Sequence, residues 1–243
     1  MRNAFTRILP AAVASAANGN VKTLAPNSLA SVYGSILATS VAVATGLPLP
    51  TTLAGAMVQI TDSTGASQNA PLIYAGKKQV NLLVPGNVAS GAAQLTISSP
   101  TGTISQASTQ IAPVAPGLFT MNANGLAAAN VLDVSASGTQ SPENDYALQG
   151  GQIVANPISL GAAGDRVYLI LFGTGLRAAG TSGVQVTIGG QQASIAYAEP
   201  QGAFLCLDQV YIVIPRCLAG QGDFVVQLSA NGISANPVHI TIR

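Results

Sequence analysis

The chain has 243 residues, 7% of them charged and 48% hydrophobic, with a formal net charge of +1. Ordinary soluble proteins carry about 25% charged residues, and disordered polar tails carry far fewer apolar ones than this. The composition therefore excludes a disordered tail. The absence of any basic run excludes an electrostatic footprint for nucleic acid, and no apolar run approaches the ~18–20 residues of a transmembrane helix.

The first 23 residues open "MRNAFTRILPAAVASAANG". They read in two ways: as a signal peptide, with Arg2 and Arg7 as the charged region, Ile8 to Ala14 as the apolar region and Ala14-Ser15-Ala16 as the cleavage site, or as the first strand of a domain. Short β-branched segments bounded by Gly, Pro, Asn or Asp then predict strands. These are Ser28 to Leu37, Ala56 to Asp62, Gln79 to Pro85, Ala92 to Ser99 and Ile104 to Val114. A different stretch follows. In it "MNANGLAAAN" predicts a hairpin turning at Asn124-Gly125, and "SASGTQSPEND" predicts a polar loop. A second strand series closes the chain: Arg166 to Gly173, Gly183 to Gly190, Gln192 to Glu199, Gln209 to Pro215, Asp223 to Ala230 and Asn236 to Arg243. No segment carries a capped 3.6-residue period. The nearest, "ASVYGSILATSVAVATG", is broken by Gly34 and its β-branched residues.

The two series share an order of signals. "QVNLLVP" (Gln79 to Pro85) answers "QVYIVIP" (Gln209 to Pro215). Tyr33-Gly34-Ser35 falls opposite Phe172-Gly173-Thr174, and Gly91 near Gly222. "QLTISSPTGTIS" falls opposite "VVQLSANGISAN", with Gly102 and Gly232 in the turns. The first copy carries a longer insert around "ATGLPLPTTLAG". The expected fold is all-β: β-sandwich domains at 24–114 and 156–243, joined by a hairpin-containing connector at 115–155.

Five landmarks together, "LAPNSLASVYGSILA", "GKKQVNLLVP", "APGLFT", "LILFGTGLR" and "DQVYIVIP", give the chain from about Ala11 to Arg243 a resemblance. It resembles the Solibacter uncharacterised C-terminal domain family, found at the ends of large acidobacterial exported proteins. Each half is also similar to a TIG/IPT immunoglobulin-like domain, in which a strand ending in Gly-Ser-x-Leu is followed by one ending in Val-Pro. The resemblance implies two tandem immunoglobulin-like domains, an extracellular or cell-surface setting and, in related chains, the rest of a larger exported protein as partner. It implies no activity.

The residues point away from catalysis. Alternation in "NPVHITIR" puts Val238, Ile240 and Ile242 inward and the sole histidine, His239, outward with Thr241. No nucleophile elbow accompanies it, so no enzyme is expected. Glu143 and Asp145 in "SPENDY" could serve calcium, but that ion takes six to eight oxygens, and a polar loop is the simpler reading. "FGTGL" lacks the third glycine of a dinucleotide fingerprint and the lysine of a P-loop; it reads as a turn leaving a strand. No cofactor is expected. Two strands carry apolar residues on the face that alternation assigns to solvent: Leu83 beside Gln79 and Asn81, and Val213 beside Gln209 and Tyr211. Leu83, Val213 and Tyr211 are therefore the candidate interaction surface, unless a loop or the other domain covers them. The expected function is a non-catalytic spacer, anchor or adhesion module with a protein partner. A polysaccharide-binding module is the alternative, although the chain has no Trp and its tyrosines fall in strand patterns.

Cys206 and Cys217 flank the strand Gln209 to Pro215. That strand, at ~3.3 Å per residue, separates its ends by roughly 20 Å, and a disulfide needs Cα atoms about 4.4–6.8 Å apart. Two free thiols are expected, each partly buried, at opposite ends of the second domain.

Overall fold

The computed structural model describes residues 8–102 and 104–243. The protein is all-β; among the described residues the helical segments are one four-residue α-helix at Gly180–Gly183 and 3-10 turns at Arg177–Ala179 and Arg216–Leu218. Among the described residues no helix is long and apolar enough to cross a membrane. The chain forms two compact units that divide between Pro113 and Val114.

In chain order, the first unit contains β1 (Ile8–Pro10), β2 (Ala12–Ser15), β3 (Thr23–Leu24), β4 (Leu29–Tyr33), β5 (Ala42–Val43) and β6 (Thr52–Leu53). It continues with β7 (Ala56–Thr61), β8 (Ser67–Asn69), β9 (Leu72–Ala75), β10 (Gln79–Leu83), β11 (Gly91–Ser98) and β12 (Ile104–Ile111). One sheet runs β1-β12-β11-β7-β6, with β3 beside β12 and β8 beside β7; the other runs β2-β4-β10-β9-β5. Pairing is antiparallel except that β1 and β3 run parallel to β12. Period-2 alternation sends Ala56, Val58 and Ile60 of β7 and Val80 and Leu82 of β10 inward. These residues join Val32, Leu72, Leu95 and Ile97 in one core drawn from both sheets. The apolar stretch at the start of the chain forms β1 and β2, with Val13 in that core. Arg2 and Arg7, its expected charged flank, lie outside the described residues.

The second unit contains β13 (Gly117–Leu118), β14 (Ala129–Val134), β15 (Gln140–Asn144), β16 (Tyr146–Gln149), β17 (Gln152–Ala155) and β18 (Arg166–Thr174). Then come β19 (Val184–Ile188), β20 (Gln191–Pro200), β21 (Asp208–Val213), β22 (Gly222–Ala230), β23 (Ile233–Ser234) and β24 (Val238–Ile242). A single path of pairing runs β15-β14-β18-β21-β20-β19-β22-β23, with β13 beside β18 and β24 beside β22; β16 and β17 form a separate hairpin. The long β20 pairs with β19 at its start and β21 at its end, which carries the path from one layer to the next. Leu169 and Leu171 of β18, Ile212 of β21, Leu228 of β22 and Ile240 of β24 fill the shared core.

Three expectations need correction. Residues 115–155 are not a connector: β14 pairs along its whole length with β18, from Ala129 opposite Leu171 to Val134 opposite Arg166, and Ala129 and Val131 point into the core. Only the start of "SASGTQSPEND" is a turn, since Gln140–Asn144 forms edge strand β15. Every residue of β15 is exposed, so it shows no apolar alternation, and Pro142 is tolerated because an edge strand needs fewer ladder donors. The hairpin before β14 closes over residues 122–125, with Met121 N–H donating to Leu126 C=O, so its loop is longer than the Asn124-Gly125 turn expected.

Pairing registers recur between the units. On β10, Gln79 faces Tyr33 and Leu83 faces Leu29 of β4; on β21, Gln209 faces Phe172 and Val213 faces Tyr168 of β18. On the other side, Val80 faces Ala75 and Asn81 faces Tyr74, then the ladder skips Ile73 and resumes at Leu82 opposite Leu72. Likewise Val210 faces Ala198 and Tyr211 faces Tyr197, then the ladder skips Ala196 and resumes at Ile212 opposite Ile195. A bulge of one extra residue thus sits at the same place in each ladder. Gly91 opposite Ile111 matches Gly222 opposite Ile242, and both glycines have positive φ, 122° and 93°. One residue past the end of β12 and of β24, Ala112 N–H donates to Leu24 C=O and Arg243 N–H to Ile158 C=O.

The glycines after β4 and within β18 have a common steric cause. A Cβ on Gly34 would lie 2.7 Å from Cδ2 of Leu37. One on Gly173 would lie 2.7 Å from Gly117 C=O and 3.0 Å from Cδ2 of Leu176. Leu37 and Leu176 are fully buried, so neither can move aside without disturbing close packing.

Candidate functional site

The residues proposed as an interaction surface fall in different settings. Leu83, in the first unit, is only 7% exposed, so its side chain offers a partner almost nothing. Tyr211 and Val213, in the second unit, are half-buried on the outer face of β21. The Tyr211 ring meets Tyr197 edge-on, centroids 5.7 Å apart and planes at 83°. That geometry suits aromatic pairing but is not a flat stacking platform. Val213 lines a cleft of about 260 Å³ with Leu160, Asp165, Val167 and Arg216.

The "FGTGLR" turn is locked from inside. The Asp208 carboxylate, fully buried, accepts from the N–H groups of Leu176 (3.0 Å) and Arg177 (3.3 Å) and from Arg177 Nε (2.7 Å). Burial pushes the Asp208 carboxyl up, against the pull of the Leu176 N–H and the Arg177 guanidinium. Thr174 Oγ1 donates to Cys206 C=O, at 2.9 Å. The backbone N–H groups of Leu176 and Arg177 are therefore both occupied by one side chain. In the first unit Leu37 N–H, at the place of Leu176, donates instead to Lys77 C=O. The sequence showed Asp208 only as the residue before "QVYIVIP", where the first copy has Lys78.

Both cysteines are free. Cys206 is buried, and burial pushes its thiol up; Cys217 is exposed, where partial burial was expected.

Glu143 and Asp145 part company. Glu143 is exposed on edge strand β15. Asp145, just beyond it, is 2% exposed, and among the described residues neither carboxylate oxygen has a well-formed hydrogen-bond partner; its own N–H and that of Ala129 exert only a weak pull. Burial pushes its carboxyl up to about 7. Among the described residues no three His, Cys, Asp or Glu side chains gather to hold a metal.

Polar side chains do converge around His239. Its ring is exposed, as alternation required, while Val238, Ile240 and Ile242 are buried. Around it lies a cleft of about 380 Å³, walled by the 122–125 loop, by β17 and by the outer face of β22 and β24. Asn122 builds the loop: its Oδ1 accepts from Asn124 and Leu126 N–H, and its Nδ2 donates to Ile153 C=O on β17. Across the cleft, Thr241 Oγ1 donates to Asp223 Oδ1. His239 and Thr241 were both read as outward-facing; the walls that make a cleft of them come from loop and hairpin contacts far away in sequence.

No protein-family model and no curated protein matches the chain.

Proposed function

We propose that the chain is a non-catalytic tandem module of two immunoglobulin-like sandwiches of TIG/IPT type, belonging to an exported or cell-surface bacterial protein. It acts as a spacer or anchor that holds other parts of a larger exported protein. The observation that carries this reading is the repeated register around β10 and β21, bulge included. A one-residue slip reverses every side chain, so two ladders with the same register and the same bulge support one framework used twice. The resemblance to the Solibacter C-terminal domain family supplies the exported setting. The scarcity of charge accords with a structural role but does not define one.

The test is protease accessibility in the producing cell, with the chain tagged at its C-terminus. External protease should remove the tag from intact cells, or the tag should appear in the medium. A tag protected until the cytoplasm is opened would overturn the exported reading.

A further inference from the structure

We infer that the cleft around His239 is a binding site for a neutral, hydroxyl-rich ligand the size of one or two sugar rings. This goes beyond the spacer role, which needs no cleft, and it does not rest on where the protein resides.

Size comes first. About 380 Å³ falls within the ~300–1,000 Å³ of small-ligand sites. The second argument is which polar groups are uncommitted. Asn122 is fully used in holding the loop. The side chains of Asn124, Gln152 and His239 have no hydrogen-bond partner among the described residues, and all three are exposed toward solvent. Asp223 accepts from Thr241 through Oδ1, which leaves Oδ2 for a ligand. Two amides, an imidazole and a carboxylate supply donors and acceptors side by side, the pattern that adjacent hydroxyl groups need. Ile153, half-buried on β17, lines the same space and suits the C–H face of a ring.

Charge narrows the class. No Lys or Arg lines the cleft, and Asp223 is its one carboxylate. A phosphate or uronate would meet an uncompensated negative charge, so anionic ligands are disfavoured.

The corresponding face of the first unit sharpens the point. The shared register puts Ala92, Ser108 and Gln110 where the second unit has Asp223, His239 and Thr241. The hollow there is about 290 Å³, lined by residues of β7, β11 and β12 and by Asp62. The Asp62 carboxylate is already committed to Thr64 Oγ1 and to the N–H groups of Thr64, Ala66 and Ala89. In the second copy this face gains walls, from the hairpin β16–β17 and the 122–125 loop.

The experiment is calorimetric titration of the full chain with cellobiose, xylobiose, mannobiose and laminaribiose, with digalacturonate as the anionic control. At least one neutral disaccharide should bind with Kd of about 1 mM or tighter. Asp223→Ala and Gln152→Ala should each weaken it by about tenfold without changing the thermal unfolding midpoint. The inference is overturned if none of the four binds, if both variants bind as the native chain does, or if digalacturonate binds equally well. Zinc binding at His239 and Asp223 in place of any sugar would also overturn it. The protease experiment above is read independently of all these outcomes.

Discussion

The two units share a framework and differ in what interrupts it. In the first, the extra residues lie between β4 and β7, where β5 and β6 form short edges and Val41, Val43 and Leu47 stand exposed. In the second, they lie between β14 and β18, where they build β15 and the β16–β17 hairpin. The turn after the Gly-x-x-Leu element is also held differently. A backbone carbonyl, Lys77 C=O, serves Leu37, whereas the buried Asp208 side chain serves Leu176. Paired strands and the leucine folded onto a glycine are therefore the constant part. The buried ion pair, the poorly bonded Asp145 carboxylate and the walled cleft all belong to the second copy.

The largest expected asymmetry is at that lock. Asp208→Ala leaves the Arg177 guanidinium and two backbone N–H groups without their acceptor, and breaking a buried ion pair costs about 3–5 kcal/mol. Lys78→Ala at the matching place should cost under about 0.5 kcal/mol, as surface changes do. Urea denaturation of both variants measures the difference, and equal losses would break the comparison. The core should instead behave symmetrically. Ile212→Ala and Leu82→Ala, at matched fully buried positions, should each cost ~2–5 kcal/mol. A large loss in one and none in the other would mean that one strand is not central to its unit.

Acidity separates the units in opposite directions. Asp145 rises from 3.8 to about 7 on folding, so its favourable contribution is complete below about pH 3.8 and is lost as pH rises through 7. The second unit should weaken by at most about 4 kcal/mol across that window. Asp145→Asn should flatten the slope and stabilise the protein at pH 8. Asp62, held down to about 2 chiefly by its Thr64 hydrogen bond, has the opposite sign: its contribution is present above 3.8 and lost as pH falls through 2. Thermal melts of the native chain, Asp145→Asn and Asp62→Asn from about pH 1.5 to about pH 8 check both signs. A wild-type profile unaffected by Asp145→Asn would mean the carboxyl is solvated.

The smallest effects are at the surface. His239→Ala should cost under about 0.5 kcal/mol, as exposed substitutions do, measured by the same denaturation. Cys217 should react with a thiol reagent in the native protein, and Cys206 only after unfolding.

Strands were legible where one face is wet and the other dry. "NPVHITIR" alternates cleanly, and its facing follows from its letters. The matching pairing registers of β10 and β21 were legible because Gly34 and Gly173 are sterically required, and because inward residues recur at fixed spacing. β15 was not legible because all five of its residues are exposed. Without an apolar face it has the composition of a loop, and only its pairing with β14 makes it a strand. Nor were β1 and β2 resolved from a signal peptide, since Ala and Val suit both. Leu83 read as surface because alternation sees only its own strand, not what packs above it. Burial of Asp145 and the walls of the His239 cleft depend on contacts made by the inserted hairpins, which local sequence does not encode.

The most direct test of the shared framework is a set of cross-strand nuclear Overhauser contacts for β10 and β21. The repeat predicts contacts from Gln79 to Tyr33 and from Gln209 to Phe172. It also predicts a one-residue skip at Ile73 and at Ala196. A slip of one residue in either ladder, or a bulge in only one, would contradict the claim that one framework is used twice.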